Sequence, residues 1–517
     1  MTFEIIFVLL ALLGMVVALA LDKMRPGMVL FSVVVLFLCA GILTPKEMLE
    51  GFSNKGMITV ALLFLVSEGI RQSGTLGQVI KKLLPQGKTT VFKAQLRILP
   101  SVAFISAFLN NTPVVVIFAP IIKHWAKSVK LPATKFLIPL SYVTILGGIC
   151  TLIGTSTNLV VHGMILEAGY EGFTMFELGK VGIFIAIAGI IYLFIFSKRL
   201  LPDARPDTAV PDEEVEEGEK LHRVEAVLGA RFPGINKKLS DFNFQRHYGA
   251  EVKEIKTRNG QRYVNHLEDV VLREGDTLVV MADDTFIPTW GESSVFVLLT
   301  NGNDPDTSGK KKRWLALILL VLMIVGATVG ELPATKEMFP DIKLDMFFFV
   351  CITTIIMAWT NIFPARKYTK YISWDILITI ACAFAISKAM VNSGVADCVA
   401  GFIIGLSDDY GPHVLLAILF VITNLFTELI TNNAAAALAF PLALSISAQL
   451  GVSPTPFFVV ICMAASASFS TPIGYQTNLI VQGIGNYKFT DFVRIGLPLN
   501  IITFLISVIL IPLIWNF

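Results

Sequence analysis

Long apolar segments constrain this chain more than any other feature of its sequence. Residues 5–21, 28–43 and 183–196 contain no charged side chain, and comparable segments follow through most of the chain. An α-helix needs about 20 such residues to cross the hydrocarbon core of a bilayer. Only 15% of the residues are charged and 54% are hydrophobic, whereas about a quarter of a soluble domain is charged. The sequence therefore predicts an α-helical polytopic membrane protein.

The distribution of charge divides the chain into three parts. Between Lys198 and Arg313 the sequence turns polar, with Pro, Asp and Glu concentrated in residues 202–219. Apolar segments lie on both sides of this polar part. We therefore expect a first membrane half at 1–200, an insert at 201–313 and a second membrane half at 314–517.

Two motifs recur at one spacing. The sequence VSEGIRQSG at 66–74 is matched by ISKAMVNSG at 386–394, and GTSTNLVVHG at 154–163 is matched by GYQTNLIVQG at 474–483. Both pairs of motifs are 320 residues apart. Separate matches at a shared spacing indicate an internal repeat, which is the usual construction of secondary transporters.

Basic residues predict the orientation of the helices, because cytoplasmic loops carry an excess of Lys and Arg. The loop 71–97 is rich in both, whereas the loop 167–172 has two glutamates and no basic residue. This pattern predicts a cytoplasmic insert, both termini outside, and about five crossings in each half. An odd number of crossings gives the two repeats opposite topologies, so we expect inverted repeats.

Polar residues interrupt four apolar segments, two in each half. Asn110-Asn111-Thr112-Pro113 and Thr431-Asn432-Asn433 each break a long apolar segment at its middle, which predicts two re-entrant hairpins with polar tips at mid-membrane. Residues 154–158 and 474–478 predict two broken helices. Non-helical backbone at that depth is tolerated only where it lines a cavity or is buried in protein.

The backbone and side chains at these interruptions are suited to binding a cation and an anion. Carbonyl oxygens at the C-terminal ends of half-helices coordinate sodium, and free N–H groups at N-terminal ends attract anions. The alternative is that the polar residues only join helices together. Because the motifs occur symmetrically, we expect sodium at the tips and an anion between them, bound by Asn111, Thr112, Thr155, Asn158, Asn432, Asn433, Tyr475 and Asn478.

Several ionisable groups lie in or near apolar segments. Lys388 and Glu428 are either functional charges at membrane depth or structural side chains, and the sequence leaves both interpretations open. His124 and His162 are more typical of ordinary interfacial histidines. The six cysteines have no zinc or redox spacing, and no catalytic constellation is present. We therefore expect a transporter that is no enzyme and needs no cofactor beyond its coupling ions.

The tip and break motifs together resemble the divalent anion:sodium symporter (DASS) family of the ion-transporter superfamily. The block TPIGYQTNLIVQG carries much of this resemblance. The family has a Ser-Asn-Thr triplet at each tip, and only the central asparagines and Thr112 match it here. The resemblance implies a homodimer, an elevator mechanism, and sodium ligands at Ser106, Asn110, Asn111, Gly154, Thr427, Thr431, Asn432 and Gly474.

The insert resembles a second known module. Residues 220–290 have alternating strand patterns and a Gly275-Asp276 turn, and they look like the C-terminal lobe of potassium-conductance regulators (the RCK-C fold). The resemblance implies a small α+β regulatory domain that dimerises or binds a small ligand.

The function expected from these features is sodium-coupled symport of a small divalent anion, either sulfate or a C4-dicarboxylate. Two alternatives are a proton-coupled anion transporter and a cation antiporter or channel controlled by the insert. The expected location is a bacterial-type inner membrane. The expected partners are the anion, lipid and a second copy of the chain, with no nucleic acid.

Overall fold

The computed structural model describes residues 3–21, 24–85, 87–203, 222–229, 232–257, 261–283, 286, 290, 295–300, 310–339, 342–405 and 411–517. Most of the acidic linker at 202–219 lies outside these ranges. The described part of the membrane halves is almost entirely helical. The helices of the first half are Phe3–Leu21, Pro26–Cys39, Pro45–Glu50, Lys55–Gln72, Thr75–Leu83, Val91–Ser106, Asn111–Ser128, Leu137–Gly148, Ser156–Glu167 and Gly179–Leu200.

From Met346–Trp359 onward, the helices of the second half repeat the order of those of the first half from Pro26–Cys39 onward. The helices of the second half are Lys310–Gly330, Pro333–Met338, Met346–Trp359, Tyr368–Tyr371, Trp374–Asn392, Val395–Gly405, Gly411–Leu429, Asn432–Leu450, Thr455–Ser466, Gln476–Gly485 and Phe489–Ile514. The helices Pro26–Cys39 and Met346–Trp359 are separated by the same number of residues as the matched motifs, both at their first and at their last residues. The internal repeat is therefore a repeat of structure.

Seven of the described helices are long and apolar enough to cross a membrane, judged by length and composition. One of these is the helical segment Pro45–Gln72, which comprises Pro45–Glu50 and Lys55–Gln72. The others are Gly179–Leu200, Lys311–Gly330, Trp374–Asn392, Gly411–Leu429, Asn432–Leu450 and Phe489–Ile514. The expectation of a multi-pass helical membrane protein is confirmed.

Each of the two interrupted segments consists of two helices separated by a short turn, and these pairs are called the first and second hairpin. The first hairpin consists of Val91–Ser106 and Asn111–Ser128, and the second consists of Gly411–Leu429 and Asn432–Leu450. Each turn between the limbs is only a few residues long, and it ends at the first residue of the polar triplet, whose other two residues begin the second limb. The two broken spans are Leu137–Gly148 with Ser156–Glu167, and Thr455–Ser466 with Gln476–Gly485.

The described part of the insert contains the strands β1 (His222–Leu228), β2 (Glu251–Lys256), β3 (Arg262–Tyr263), β4 (Thr277–Ala282) and β5 (Phe296–Thr300), and the helix Phe244–Tyr248 precedes β2. The five strands form an antiparallel sheet in the order β3-β2-β4-β1-β5. Alternate residues of β1 face opposite sides, as strand geometry requires. Val224, Ala226 and Leu228 lie in the insert's own core, whereas Val227 packs into the core of the helical part.

The insert contacts the first hairpin and the second broken span. Lys123 Nζ, on the second limb of the first hairpin, lies 3.1 Å from both carboxylate oxygens of Glu225 in β1. Lys256 Nζ in β2 lies 3.4 Å from the same carboxylate. A methyl group at Gly483 would lie 2.5 Å from Thr277 Oγ1, so glycine at this position permits close approach of β4. The insert therefore docks on the elements that carry the polar motifs.

Candidate functional site

The first hairpin tip is held by a buried hydrogen bond between its limbs. Ser106 Oγ, at the end of the first limb, donates to Asn111 Oδ1 at 2.8 Å, and both residues are fully buried. Asn110 caps the second limb, because its side chain accepts from Thr112 N at 3.5 Å. Polar groups at this depth must find partners within the protein. The tip therefore has a defined geometry.

The second tip has the same construction. Thr427 Oγ1 donates to Asn432 Oδ1 at 2.8 Å and lies 2.6 Å from the carbonyl oxygen of Ala465. Ser106 corresponds to Thr427, and Asn111 corresponds to Asn432, because each pair is 321 residues apart, one residue more than the two break motifs. The sequence-predicted tip residues therefore occupy equivalent places in the two halves.

A second matched set of bonds fixes the two breaks. Thr151 Oγ1 accepts from Gly154 N at 3.1 Å, and Thr471 Oγ1 accepts from Gly474 N at 3.2 Å. The amide groups across each break are bonded alike: Asn158 Nδ2 donates to the Thr151 carbonyl oxygen at 2.9 Å, and Asn478 Nδ2 donates to that of Thr471 at 3.1 Å.

Sequence reasoning did not identify Thr151 and Thr471. Both follow the spacing of the repeat, since each lies three positions before the glycine of its break. A comparison of the two halves extended to the residues before each glycine would have found them. Their hydroxyl groups also donate to the carbonyl oxygens of Ala107 and Glu428, which join each break to the neighbouring hairpin.

The tips cross over to the breaks of the opposite half. Asn111 Nδ2 donates to Tyr475 Oη at 2.6 Å, and Thr112 Oγ1 donates to Gln476 Oε1 at 3.4 Å. In the reciprocal contact, Ser156 Oγ donates to Asn433 Oδ1 at 3.4 Å. Thr112 and Asn433 are repeat equivalents, as are Gln476 and Ser156.

Reciprocal contacts of this kind define a two-fold relation between the halves, as they do in an isologous interface. Thr155 Oγ1 lies 3.1 Å from Tyr475 Oη, and these two residues are themselves repeat equivalents. A contact between equivalent residues lies on the pseudo-two-fold axis. The four predicted motifs therefore meet around one axis.

Burial separates the site into a centre and two flanks. Thr112, Ser156 and Tyr475 are half-buried and Gln476 is exposed, so the centre is accessible. Ser106, Asn111, Thr427 and Asn432 lie deeper on the two sides. This arrangement offers an open polar centre between two buried groups of oxygen atoms.

The buried flanks are tight because glycines allow the backbones to approach. A methyl group at Gly154 would lie 2.6 Å from the Gly148 carbonyl oxygen and 3.0 Å from that of Ala107. One at Gly148 would lie 2.8 Å from Asn111 Oδ1. At Gly474 the methyl would lie 2.8 Å from the Thr427 carbonyl oxygen. Each flank thus gathers neutral carbonyl, amide and hydroxyl oxygens, which are the ligands that hard cations prefer.

Several buried oxygens in this region have no hydrogen-bond partner among the described residues. They are Asn158 Oδ1, Thr431 Oγ1 and Ser466 Oγ. A buried polar atom without a partner costs about 1–3 kcal/mol. Asn158 and Ser466 are fully buried, so exposure to bulk solvent does not satisfy them. These orphaned oxygens fit the binding of cations at the flanks.

Four helices begin at the open centre. They are Asn111–Ser128, Ser156–Glu167, Asn432–Leu450 and Gln476–Gly485. The residues that precede the last three, Thr155, Thr431 and Tyr475, make no side-chain capping bond. A helix N-terminus carries roughly half a positive charge, so four of them offer a field that suits an anion.

Not every predicted residue faces this centre. Asn478 has both polar atoms engaged, because Ser141 Oγ donates to its Oδ1 at 2.7 Å and its Nδ2 is bonded to backbone oxygens. Asn158 is likewise bonded across its break through Nδ2. These two asparagines hold the breaks together, and they position the helix starts that face the centre.

The ionisable groups have separate locations. Lys388 lines a cavity of about 1050 Å³, together with Lys55, Asp345, Glu167 and His162. This cavity lies beside the helix Ser156–Glu167, away from the tips. Lys55 is paired with Asp345 there, and Asn54 Nδ2 donates to Glu167 Oε2 at 3.2 Å. His124 is exposed near the end of the first hairpin.

Comparison of the sequence with known proteins finds similarity to transporters. The sequence profile of CitMHS, described as a citrate transporter family, matches residues 16–443 and 338–517. An uncharacterized transporter of Synechocystis is 29% identical over 94% of this chain and 93% of its own length. The uncharacterized transporter YfbS of Escherichia coli is 26% identical over 99% of this chain and 100% of its own length. Sodium/sulfate cotransporter 2 of Chlamydomonas reinhardtii is 30% identical, over 54% of this chain and 31% of its own length.

Proposed function

We propose that this chain, which belongs to the CitMHS citrate transporter family and is a secondary transporter rather than an enzyme, carries a small divalent anion together with sodium ions. The crossing of the two tips and two breaks around one axis is the observation on which the proposal rests. Sulfate is the first candidate, because a relative that matches half of this chain is named a sodium/sulfate cotransporter.

The two buried flanks are the proposed sodium sites. Ser106, Asn110, Asn111 and Gly154 form the first, and Thr427, Thr431, Asn432 and Gly474 form the second. Their oxygens are neutral, which suits a monovalent hard cation better than a strongly charged site would. At the C-terminal ends of the first limbs, the carbonyl oxygens of Ala107 and Thr427 lie at these flanks, 3.0 Å and 2.8 Å from where a methyl group at Gly154 and at Gly474 would be.

The open centre is the proposed anion site. Thr112, Thr155, Asn433 and Tyr475 supply hydroxyl and amide donors there, and Asn111 and Asn432 border both the anion and the sodium ions. Each helix N-terminus presents roughly half a positive charge, which favours an anion at the centre, but a helix dipole adds no net charge to the site. No Lys or Arg occurs in the four motifs, so the neutralisation falls to bound sodium.

The wider architecture follows the resemblance to DASS transporters. We propose that the two repeats are inverted in the membrane, that both hairpins are re-entrant, and that the tips and breaks move together as an elevator within a homodimer. The insert, with its RCK-C-like strands at about 220–290, is proposed to be cytoplasmic and regulatory, and to be the place for any small regulatory ligand. The boundaries 1–200, 201–313 and 314–517 are part of this proposal.

Uptake into proteoliposomes tests the function. Labelled sulfate, succinate and citrate are offered to the purified protein with an inward sodium gradient, and with a potassium gradient of equal strength. We expect accumulation of one divalent anion only with sodium. The Asn111→Ala variant, which loses the bonds to Ser106 and Tyr475, should accumulate far less. Equal uptake under both gradients would refute sodium coupling.

A further inference from the structure

The insert covers a helix surface whose repeat equivalent lines the large cavity. In the first half, Leu159 and His162 line the cavity of about 1050 Å³. Their equivalents, at the spacing of the break motifs, are Leu479 and Gln482. A methyl group at Gly275 of the insert would lie 3.7 Å from Leu479 Cβ, so the turn before β4 rests on this helix. The insert therefore occupies in the second half a place that is open space in the first.

The glycine beside this surface has a different partner in each half. Gly163 lies against the start of the helix Lys55–Gln72, because a methyl group there would lie 2.6 Å from Asn54 Oδ1. Its equivalent Gly483 lies against the insert, because a methyl group there would lie 2.5 Å from Thr277 Oγ1. The three atoms nearest to that methyl group all belong to the insert. The insert thus stands where a helix of the membrane part stands in the other half.

Two inverted halves face the two sides of a membrane in turn by exchanging their arrangements. After such an exchange, Gln476–Gly485 would line a cavity and lie against the start of Trp374–Asn392. This is how Ser156–Glu167 now lies against Lys55–Gln72. The docked insert occupies the place that this exchange requires. We propose that the docked insert locks the transporter in one state, and that it must leave Gln476–Gly485 before a transport cycle can be completed. This inference rests on the inverted repeats of the proposed function.

The insert is held in this position through its first strand. Lys123 Nζ of the first hairpin lies 3.1 Å from both carboxylate oxygens of Glu225 in β1. The end of β1 is joined to the turn that covers the helix, because Leu228 N donates to the Asp276 carbonyl oxygen at 2.8 Å and Gly275 N donates to that of Leu228 at 2.9 Å. The insert therefore docks on the first hairpin and on the second break as one unit.

The contact with the helix is incompletely bonded. Thr277 and Gln482 are 0% and 1% exposed. Among the residues that the structure describes, Thr277 Oγ1 and both polar side-chain atoms of Gln482 have no hydrogen-bond partner. Buried polar groups without partners are unfavourable, and water would bond to them once the insert moved away. After the exchange, Gln482 would line a cavity, as His162 now does. These atoms therefore favour release, and they oppose the ion pair that favours docking.

A single methyl group at the contact tests this proposal. Gly483→Ala should release the insert, and the initial rate of labelled sulfate uptake under a sodium gradient should then rise severalfold. Thr277→Ala removes the oxygen atom that the methyl group meets, so the double variant should return to the wild-type rate. In a chain from which residues 220–290 are deleted, Gly483→Ala should have no effect on the rate. This control shows whether the methyl group acts through the insert or on the helix itself.

A disulfide provides the opposite perturbation. Thr277 Cβ lies 3.7 Å from the position of a methyl carbon at Gly483, which is a usual Cβ–Cβ distance in disulfides. The variant that combines Thr277→Cys with Gly483→Cys should take up sulfate when reduced and lose this uptake when oxidised. Each single variant is a control for the native cysteines, and its uptake should not change on oxidation.

A readout without substrate separates this inference from the proposed substrate. The reactivity of His162→Cys with a water-soluble thiol reagent reports whether the cavity is open. It should stay high when the insert is cross-linked and fall in Gly483→Ala, because released molecules spend time in the opposite state. The inference is overturned if Gly483→Ala changes neither uptake nor this reactivity, or if the cross-linked protein takes up sulfate as fast as the reduced protein. If sulfate uptake is absent from every variant while the reactivity changes as expected, the proposed substrate fails and the locking by the insert stands.

Discussion

The docking of the insert depends on one carboxylate between two lysines. Burial alone would raise the pKa of Glu225, but Lys123, Lys256 and Arg223 together hold it at about 2, below the ordinary 4.5. The side chains of Glu225 and Lys256 are 15% and 5% exposed. Because these groups are largely buried, solvent screens their attraction only weakly. Glu225 should therefore contribute strongly to the stability of the insert.

The magnitude follows from the shift of the pKa. A shift of one pKa unit corresponds to about 1.36 kcal/mol, so the difference between 4.5 and about 2 is worth about 3 kcal/mol. Since the pKa is lower in the folded state, this stabilisation is fully present above pH 4.5 and is lost as the pH falls toward 2. Glu225→Gln removes this attraction and takes from Lys123 and Lys256 the carboxylate that they share. Removal of one partner from a buried pair typically costs about 3–5 kcal/mol, which agrees.

Hydrogen exchange of the sheet measures this effect. We expect the amides of β1 and β4 to exchange through an opening that is about 3 kcal/mol easier in Glu225→Gln at neutral pH. Glu251→Gln is the matched control. Its partner Lys253 lies at 2.7 Å, but the two side chains are 54% and 52% exposed, so its loss should cost less than about 1 kcal/mol. Equal protection in the two variants would refute the reasoning.

Three further predictions concern the site and its surroundings. Gly154→Ala and Gly474→Ala should each raise the sodium concentration needed for uptake by about tenfold or more, because the added methyl group would collide with backbone oxygens. The control Gly14→Ala should behave as wild type, because no atom lies within 4 Å of the added methyl group. Cysteines placed in the linker 203–219 should react with an impermeant reagent only after the cytoplasmic side is opened, and labelling from outside intact cells would contradict the topology. Deletion of about 220–290 with a linker kept should leave sodium-dependent anion binding intact in a folded protein, and complete loss would make the insert part of the site.

The repeat explains why so much of the site could be predicted from the sequence. A polar triplet inside an apolar segment has few structural outcomes, and its recurrence in the other half predicted that Asn111 and Asn432 occupy equivalent places. The roles of Thr151 and Thr471 could not be predicted in this way, because threonine is common beside turns. Only the structure shows that each hydroxyl group joins a break to a hairpin.

The docking of the insert was beyond sequence reasoning for a different reason. Lys123 and Glu225 lie far apart in the sequence and belong to parts of the chain with unrelated periodicities. No local pattern pairs them. The same holds for Gly483, whose lack of a side chain makes room for Thr277 of β4. Such contacts depend on how two folded parts meet, and that is visible only in three dimensions.

In the proposed mechanism, sodium neutralises the anion at a site without fixed positive side chains. The most direct test is the dissociation constant of the transported anion, measured on the purified protein over a wide range of sodium concentrations at constant ionic strength and pH. We expect the constant to fall steeply as sodium rises, and Asn111→Ala and Asn432→Ala to weaken both the sodium response and anion binding. An anion affinity that is the same at every sodium concentration would contradict it.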